Sequence, residues 1–124
     1  MTRAAGARLL VACLCADWCS SCREYRPTFD ALATRFASEV EFAWIDIEDE
    51  SDALGDPDIE NFPTVLVADA GSLRFLGALT PQPGTLERLV RSAVEGQLPA
   101  VVVDAEIGLA ERVRRLVRAR GAPA

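Results

Sequence analysis

An α/β fold with a central sheet is predicted by three observations. Apolar runs of strand length alternate with stretches of helical period. Turn and helix-start residues fall between them. Half of the 124 residues are hydrophobic and 26% are charged, a balance that supports one packed domain and argues against disorder.

The elements follow in order. Arg8 to Cys15 is a short apolar run rich in Leu, Val and Cys, the composition of a buried strand. From Cys19 onward Tyr25, Phe29, Leu32, Ala33 and Phe36 recur at helical steps, with Pro27 placed to kink that helix. Val40 to Ile47 is a second strand. Glu48 to Glu60 is acidic and reads as a loop with a short helix. Thr64 to Ala68 is a strand, and Ala70-Gly71 turns it into Leu73–Leu79 as an antiparallel hairpin. Pro83-Gly84-Thr85 opens a helix with Leu86, Leu89, Val90, Ala93 and Val94 on one face. After the break at Leu98-Pro99, Ala100 to Val103 has strand composition. Asp104 is a fair N-cap for a helix from Ala105 to about Arg120, striped by Ile107, Ala110, Val113, Leu116 and Val117. Residues 1–98 thus read as an α/β core and 99–124 as a strand-helix extension packed on it.

Composition excludes whole classes of chemistry. There is no His, and all thirteen cations are Arg. Histidine acid–base catalysis, histidine metal ligation and a catalytic Lys are therefore out. A net charge of −6 argues against nucleic acid as a partner. No apolar run approaches the ~20 residues of a membrane span. Arg3, Arg8 and Leu9-Leu10-Val11-Ala12-Cys13 imitate a lipoprotein cleavage box, but the apolar stretch is too short for a signal. Cytoplasm is the expected compartment. The four Cys all lie between positions 13 and 22, unlike the spread of a disulfide scaffold.

The chemistry concentrates in Trp18-Cys19-Ser20-Ser21-Cys22. Two thiols two residues apart, where a strand hands over to a helix, suit reversible disulfide exchange. At a helix N-terminus the free N–H groups and the helix dipole favour the Cys19 thiolate. Cys13 and Cys15 point to one face of their strand. As free thiols they read as small core hydrophobes. The chemical alternatives are a second redox couple, or Cys15 resolving a bond to Cys19. A third reading joins all four thiols as C-x-C-x3-C-x2-C in a zinc or iron–sulfur site, although the strand–helix geometry would have to bend to converge them. The acidic run from Asp46 to Glu60 reads as a solvated loop. Arg112, Arg114, Arg115, Arg118 and Arg120, interspersed with Glu106 and Glu111, read as a solvated helix face.

From Leu9 to about Val94 the chain resembles the thioredoxin superfamily. The likeness rests on the strand into Ala16-Asp17-Trp18-Cys19-x-x-Cys22, on Pro27, on Ile45-Asp46-Ile47, on Phe62-Pro63-Thr64, and on Gly71 and Gly77. A thioredoxin-like fold is implied, with a mixed sheet flanked by helices. The resemblance also implies a cis Pro63 against the dithiol, with Phe62, Pro63 and Thr64 receiving an extended substrate segment and Trp18 shaping the lip. Cys19 would attack and Cys22 would resolve the mixed disulfide. Protein disulfides would be the substrates and a thiol reductant or oxidant the electron partner, with no cofactor and no metal. The sequence departs from the family in four places. Cys13 stands where the family has a buried acid, Trp44 where it has a Lys, and Cys15 where it has a Trp. Ser20-Ser21 separates the thiols. Only about eight residues precede the first strand, so the family's N-terminal βα unit is not expected in this sequence. Val101–Val103 and the helix after Asp104 are expected to replace it, with Val101–Val103 beside the Val40–Ile47 strand. The alternative role of that helix is a partner surface, such as a homodimer contact. A thioredoxin-fold binding module with little redox turnover is the alternative for the whole chain.

Overall fold

The computed structural model describes residues 9–55, 57 and 59–121. Arg3, Arg8, Asp56 and Asp58 therefore lie outside the described residues. The elements are β1 (Leu9–Cys15), α1 (Ser20–Arg35), β2 (Val40–Asp46), α2 (Ser51–Leu54), β3 (Thr64–Ala68), β4 (Leu73–Ala78), α3 (Pro83–Val94) and α4 (Asp104–Gly121). The strands form one mixed sheet in the order β2-β1-β3-β4. β1 is parallel to β2 and antiparallel to β3, which is antiparallel to β4. The parallel pair needs a crossover, and α1 supplies it.

β1 lies between two other strands and under helices on both faces. Six of its seven residues are buried, which is why its sequence reads as a continuous apolar run. Its side chains alternate between two cores. Val11, Cys13 and Cys15 meet α1 and α3, through Cys22, Tyr25, Phe29, Leu32, Leu86 and Val90. Leu10, Ala12 and Leu14 meet α2 and α4, through Leu54, Leu109, Ala110, Val113 and Val117. Each of the larger α4 side chains buried there contributes on the order of 1.5–3 kcal/mol.

The extension departs from expectation in two ways. Residues 101–103 form no strand. Val101 donates its N–H to the Leu73 carbonyl at 2.8 Å, so the segment runs beside β4, at the opposite edge of the sheet from β2. Val102 and Val103 are exposed. The reason is local. Pro99 has no N–H to give, Arg74 claims the Leu98 carbonyl at 3.1 Å, and the Val103 carbonyl already accepts the Glu106 and Ile107 N–H groups that open α4. Little backbone is left over for a ladder. The α4 arginines also do more than face solvent. Arg112 Nε donates to the Leu54 carbonyl at 2.7 Å, Arg114 Nη2 to the Asp69 carbonyl at 3.0 Å, and Arg120 Nη1 to the Trp44 carbonyl at 2.9 Å. These bonds fasten the helix over the sheet. Gly55 lets the first of them form. It ends α2 at φ 74°, and a Cβ there would stand 3.1 Å from Arg112 Nε.

Candidate functional site

The site gathers where β1 ends and α1 begins. Cys19 is the extended residue that caps α1, with φ −86° and ψ 116°. Its N–H donates to the Ala16 carbonyl at 3.0 Å, and its carbonyl accepts the Arg23 N–H at 3.2 Å. Its side chain makes no capping bond. The Cys19 thiol is therefore free, half-buried and at the positive end of a helix. Asp46 holds the loop in front of it. Its Oδ2 accepts the Asp17 N–H at 3.0 Å, and its Oδ1 accepts the N–H groups of Glu48 and Asp49. Partial burial pulls this carboxyl up, but the three N–H groups outweigh it and leave its pKa below the usual aspartate value.

Trp18 is 63% exposed and meets Phe62 edge to face at 5.7 Å between centroids. That contact brings the second element of the site alongside the dithiol. The Phe62–Pro63 peptide bond is cis. The Pro63 carbonyl accepts the Leu79 N–H at 3.0 Å, and Thr64 Oγ1 donates to the Asn61 carbonyl at 2.6 Å. Both bonds tie the segment to the start of β3 and the end of β4.

Beneath the surface the sulfurs are arranged in a way the spacing did not reveal. Cys22 is disulfide-bonded to Cys15, with 5.9 Å between their Cα atoms. Cys19 and Cys13 are the free thiols. Cys13 Sγ lies 3.6 Å from Cys15 Sγ. Cys15 carries no hydrogen while bonded, so Cys13 is the donor of that contact. Burial pushes the Cys13 thiol up to about 12, with Arg26 pulling weakly the other way. The reading of Cys13 and Cys15 as two inert core thiols therefore needs correcting at Cys15. The signal was present in the phase of the strand. Cys15 shares a face with Cys13, that face is covered by α1, and Cys22 lies on the buried stripe of α1. A site holding all four thiolates around a metal is incompatible with this state, because the disulfide uses two of the four sulfurs.

Trp44, in the place of the family's Lys, packs edge to face on Phe29 at 5.4 Å, and the Arg26 guanidinium lies 4.7 Å from its ring centroid. Tyr25 lies on the buried stripe of α1 beside these groups. Among the described residues its hydroxyl is the one buried side-chain oxygen or nitrogen without a hydrogen-bond partner. Desolvation, then the neighbouring Cys13, raise its pKa. Behind the disulfide stand a thiol, a phenol and aromatic rings, and among the described residues no carboxylate is buried.

The comparisons with known proteins agree with this geometry. The family model described as Thioredoxin matches residues 4–87. Chicken (Gallus gallus) thioredoxin is 36% identical over 62 residues, which span 50% of this chain and 58% of that protein. Thioredoxin H4 of Arabidopsis thaliana is 30% identical over 73 residues, 57% of this chain and 61% of the relative. The chain thus spans somewhat over half the length of these curated relatives. Among solved structures, thioredoxin from Trypanosoma brucei brucei superposes with a TM-score of 0.62 at 25% identity, covering 72% of this chain and 77% of that one. Deadhead, the germline-specific thioredoxin of Drosophila melanogaster, shares the fold with a TM-score of 0.63 at 20% identity, over 71% of this chain and 83% of that one.

Proposed function

The chain belongs to the thioredoxin family, and on that premise we propose that it is a thiol–disulfide oxidoreductase acting on protein disulfides, with Cys19 as the attacking thiol and Cys22 as the resolving one. The Cys19 thiolate attacks one sulfur of a substrate disulfide. A mixed disulfide forms and the first substrate thiolate leaves. Cys22 then attacks Cys19 Sγ, and the second substrate thiolate leaves as the Cys19–Cys22 bond closes. An external thiol donor restores the dithiol, so the balance needs no nucleotide or metal. Phe62, Pro63 and Thr64 would receive the substrate backbone as an added strand, and Trp18 would border it.

The observation that carries this reading is the free, half-buried Cys19 thiol at the N-terminus of α1, one helical turn before Cys22, whose bond to Cys15 must be reduced before it can resolve. A binding module would need no free thiol there. We also take residues 99–124 as part of the same folding unit as 1–98, because Leu109, Ala110, Val113 and Val117 share a core with β1. That stripe faces the chain's own sheet, which favours a single chain over a homodimer through α4. A cytoplasmic setting fits thiols clustered at one site. Among the described residues no helix is long and apolar enough to cross a membrane.

The test is reduction of insulin by dithiothreitol, followed by turbidity. Wild type should shorten the lag, and Cys19→Ser should leave it at the uncatalysed value. Equal lags for both would remove the proposed function.

A further inference from the structure

We propose that Cys15 is a third exchanging thiol, and that Cys22 alternates between two disulfides, one with Cys19 at the surface and one with Cys15 in the core. This deepens the functional reading above and rests on it. Cys22 can reach either partner. Cys15 is bonded to it at a Cα separation of 5.9 Å, inside the usual 4.4–6.8 Å range for a disulfide. Cys19 caps the same helix that carries Cys22, and side chains three apart on a helix are neighbours. Neither disulfide requires the other elements of the fold to move far.

The exchange is neutral in electrons. Starting from the Cys15–Cys22 state, the Cys19 thiolate attacks Cys22 Sγ. The Cys19–Cys22 bond forms, the Cys15–Cys22 bond breaks, and the electron pair departs on Cys15 Sγ. Cys19 has released one proton to solvent and Cys15 takes one up, so no oxidant or reductant is consumed. Cys13 is placed to assist. Its S–H already points to Cys15 Sγ across 3.6 Å, and a buried leaving thiolate gains from a donor at that position. Burial keeps Cys13 protonated for the purpose.

The consequence concerns Cys19. After a substrate has been reduced through Cys19 and Cys22, attack of Cys15 on Cys22 draws the disulfide inward and returns Cys19 as a free thiol. In that state Cys22 is no longer available to resolve a mixed disulfide. The Cys19 thiolate would then attack a partner disulfide, release one partner sulfur as a thiolate, and stay in a mixed disulfide with the other until the core disulfide is reduced and Cys22 is freed. The ordinary couple, Cys19–Cys22, has no such state.

The experiment is a disulfide map of the full chain. Wild type is oxidised with diamide, treated with iodoacetamide under native conditions, and cleaved at Asp17 and Trp18 to separate Cys15 from Cys19. Cys19 should carry the label in most molecules, with Cys15 linked to Cys22. In Cys15→Ala the disulfide should form between Cys19 and Cys22, and native labelling of Cys19 should vanish. A wild-type map with Cys19 linked to Cys22, and with Cys15 labelled only after unfolding, overturns the proposal without needing any variant to fold. The two readings fail separately. Loss of insulin reduction with the Cys15–Cys22 link intact would remove the catalytic function alone. Normal reduction with only a Cys19–Cys22 link would remove the third thiol alone.

Discussion

Leu10, Ala12 and Leu14 leave β1 on one side, and Val11, Cys13 and Cys15 leave it on the other. The two faces of one strand are one residue out of phase and differ in almost every physical respect. The face under α2 and α4 is aliphatic, and its polar contacts are arginines reaching backbone carbonyls at its rim. The face under α1 and α3 holds a disulfide, a buried thiol, an unpartnered phenol and a set of edge-to-face rings. The first face has only to exclude water. Under the proposed function the second has to tolerate changes in bonding at sulfur without losing its packing, which suits small polarizable groups and aromatic rings. Stability and chemistry are thus separated across a single strand.

The first way to break this contrast is to remove the helix that covers the aliphatic face. A chain ending at Leu98 would expose Leu10, Leu14, Ile45 and Leu66 together. At about 25 cal/mol per Å² of apolar surface, losing several such side chains to water exceeds much of the 5–15 kcal/mol that holds a typical domain. The truncated chain should show no cooperative thermal transition by circular dichroism. A sharp transition near that of the full chain would mean that residues 99–124 are an appendage, and the aliphatic face would lose its assigned role.

The sequence made the strands and helices legible because each is patterned strongly at its own period. β1 is apolar throughout, α1 and α3 carry stripes, and Phe62-Pro63-Thr64 stands at a telling distance from the dithiol. Two features were not legible, for a shared reason. Val101–Val103 has strand composition, but a strand also needs a partner edge and free backbone groups, and those depend on where Pro99, Arg74 and the start of α4 fall in space. Cys15 has the composition of a core residue, but its bond to Cys22 depends on which face of β1 the helix covers. In both cases residue type was read correctly and the missing information was the neighbour.

A smaller test addresses the reactive face. Tyr25 is buried with its hydroxyl unpartnered, and an unsatisfied buried polar group costs about 1–3 kcal/mol. Tyr25→Phe removes the oxygen and keeps the ring. Urea unfolding of the oxidised chain should show the variant more stable, by about 1 kcal/mol at the low end of that range. A loss of stability would instead reveal a partner for the hydroxyl. The reactive face would then be as well satisfied as the aliphatic one, and the contrast would narrow to the sulfurs alone.

The smallest effect lies at the seam between the faces, where Asp46 holds the loop carrying Asp17 and Trp18. Its folded pKa is depressed, partial burial opposing the shift and the N–H groups of Asp49, Glu48 and Asp17 carrying it. A depressed carboxyl adds stability that is present above its unfolded pKa of about 3.9, and loses it as pH falls through the folded value. Asp46→Asn should therefore be less stable than wild type at neutral pH, by tenths of a kcal/mol up to about 1 for a partly exposed group screened by solvent. The difference should shrink steadily below about pH 4. Paired urea titrations at pH 7 and pH 3 would measure it. A difference that stayed constant with pH would mean that Asp46 acts through shape and not charge. The loop would then be held by packing of the Trp18–Phe62 pair, and the reactive face would owe its alignment to aromatic contact on both sides of the dithiol.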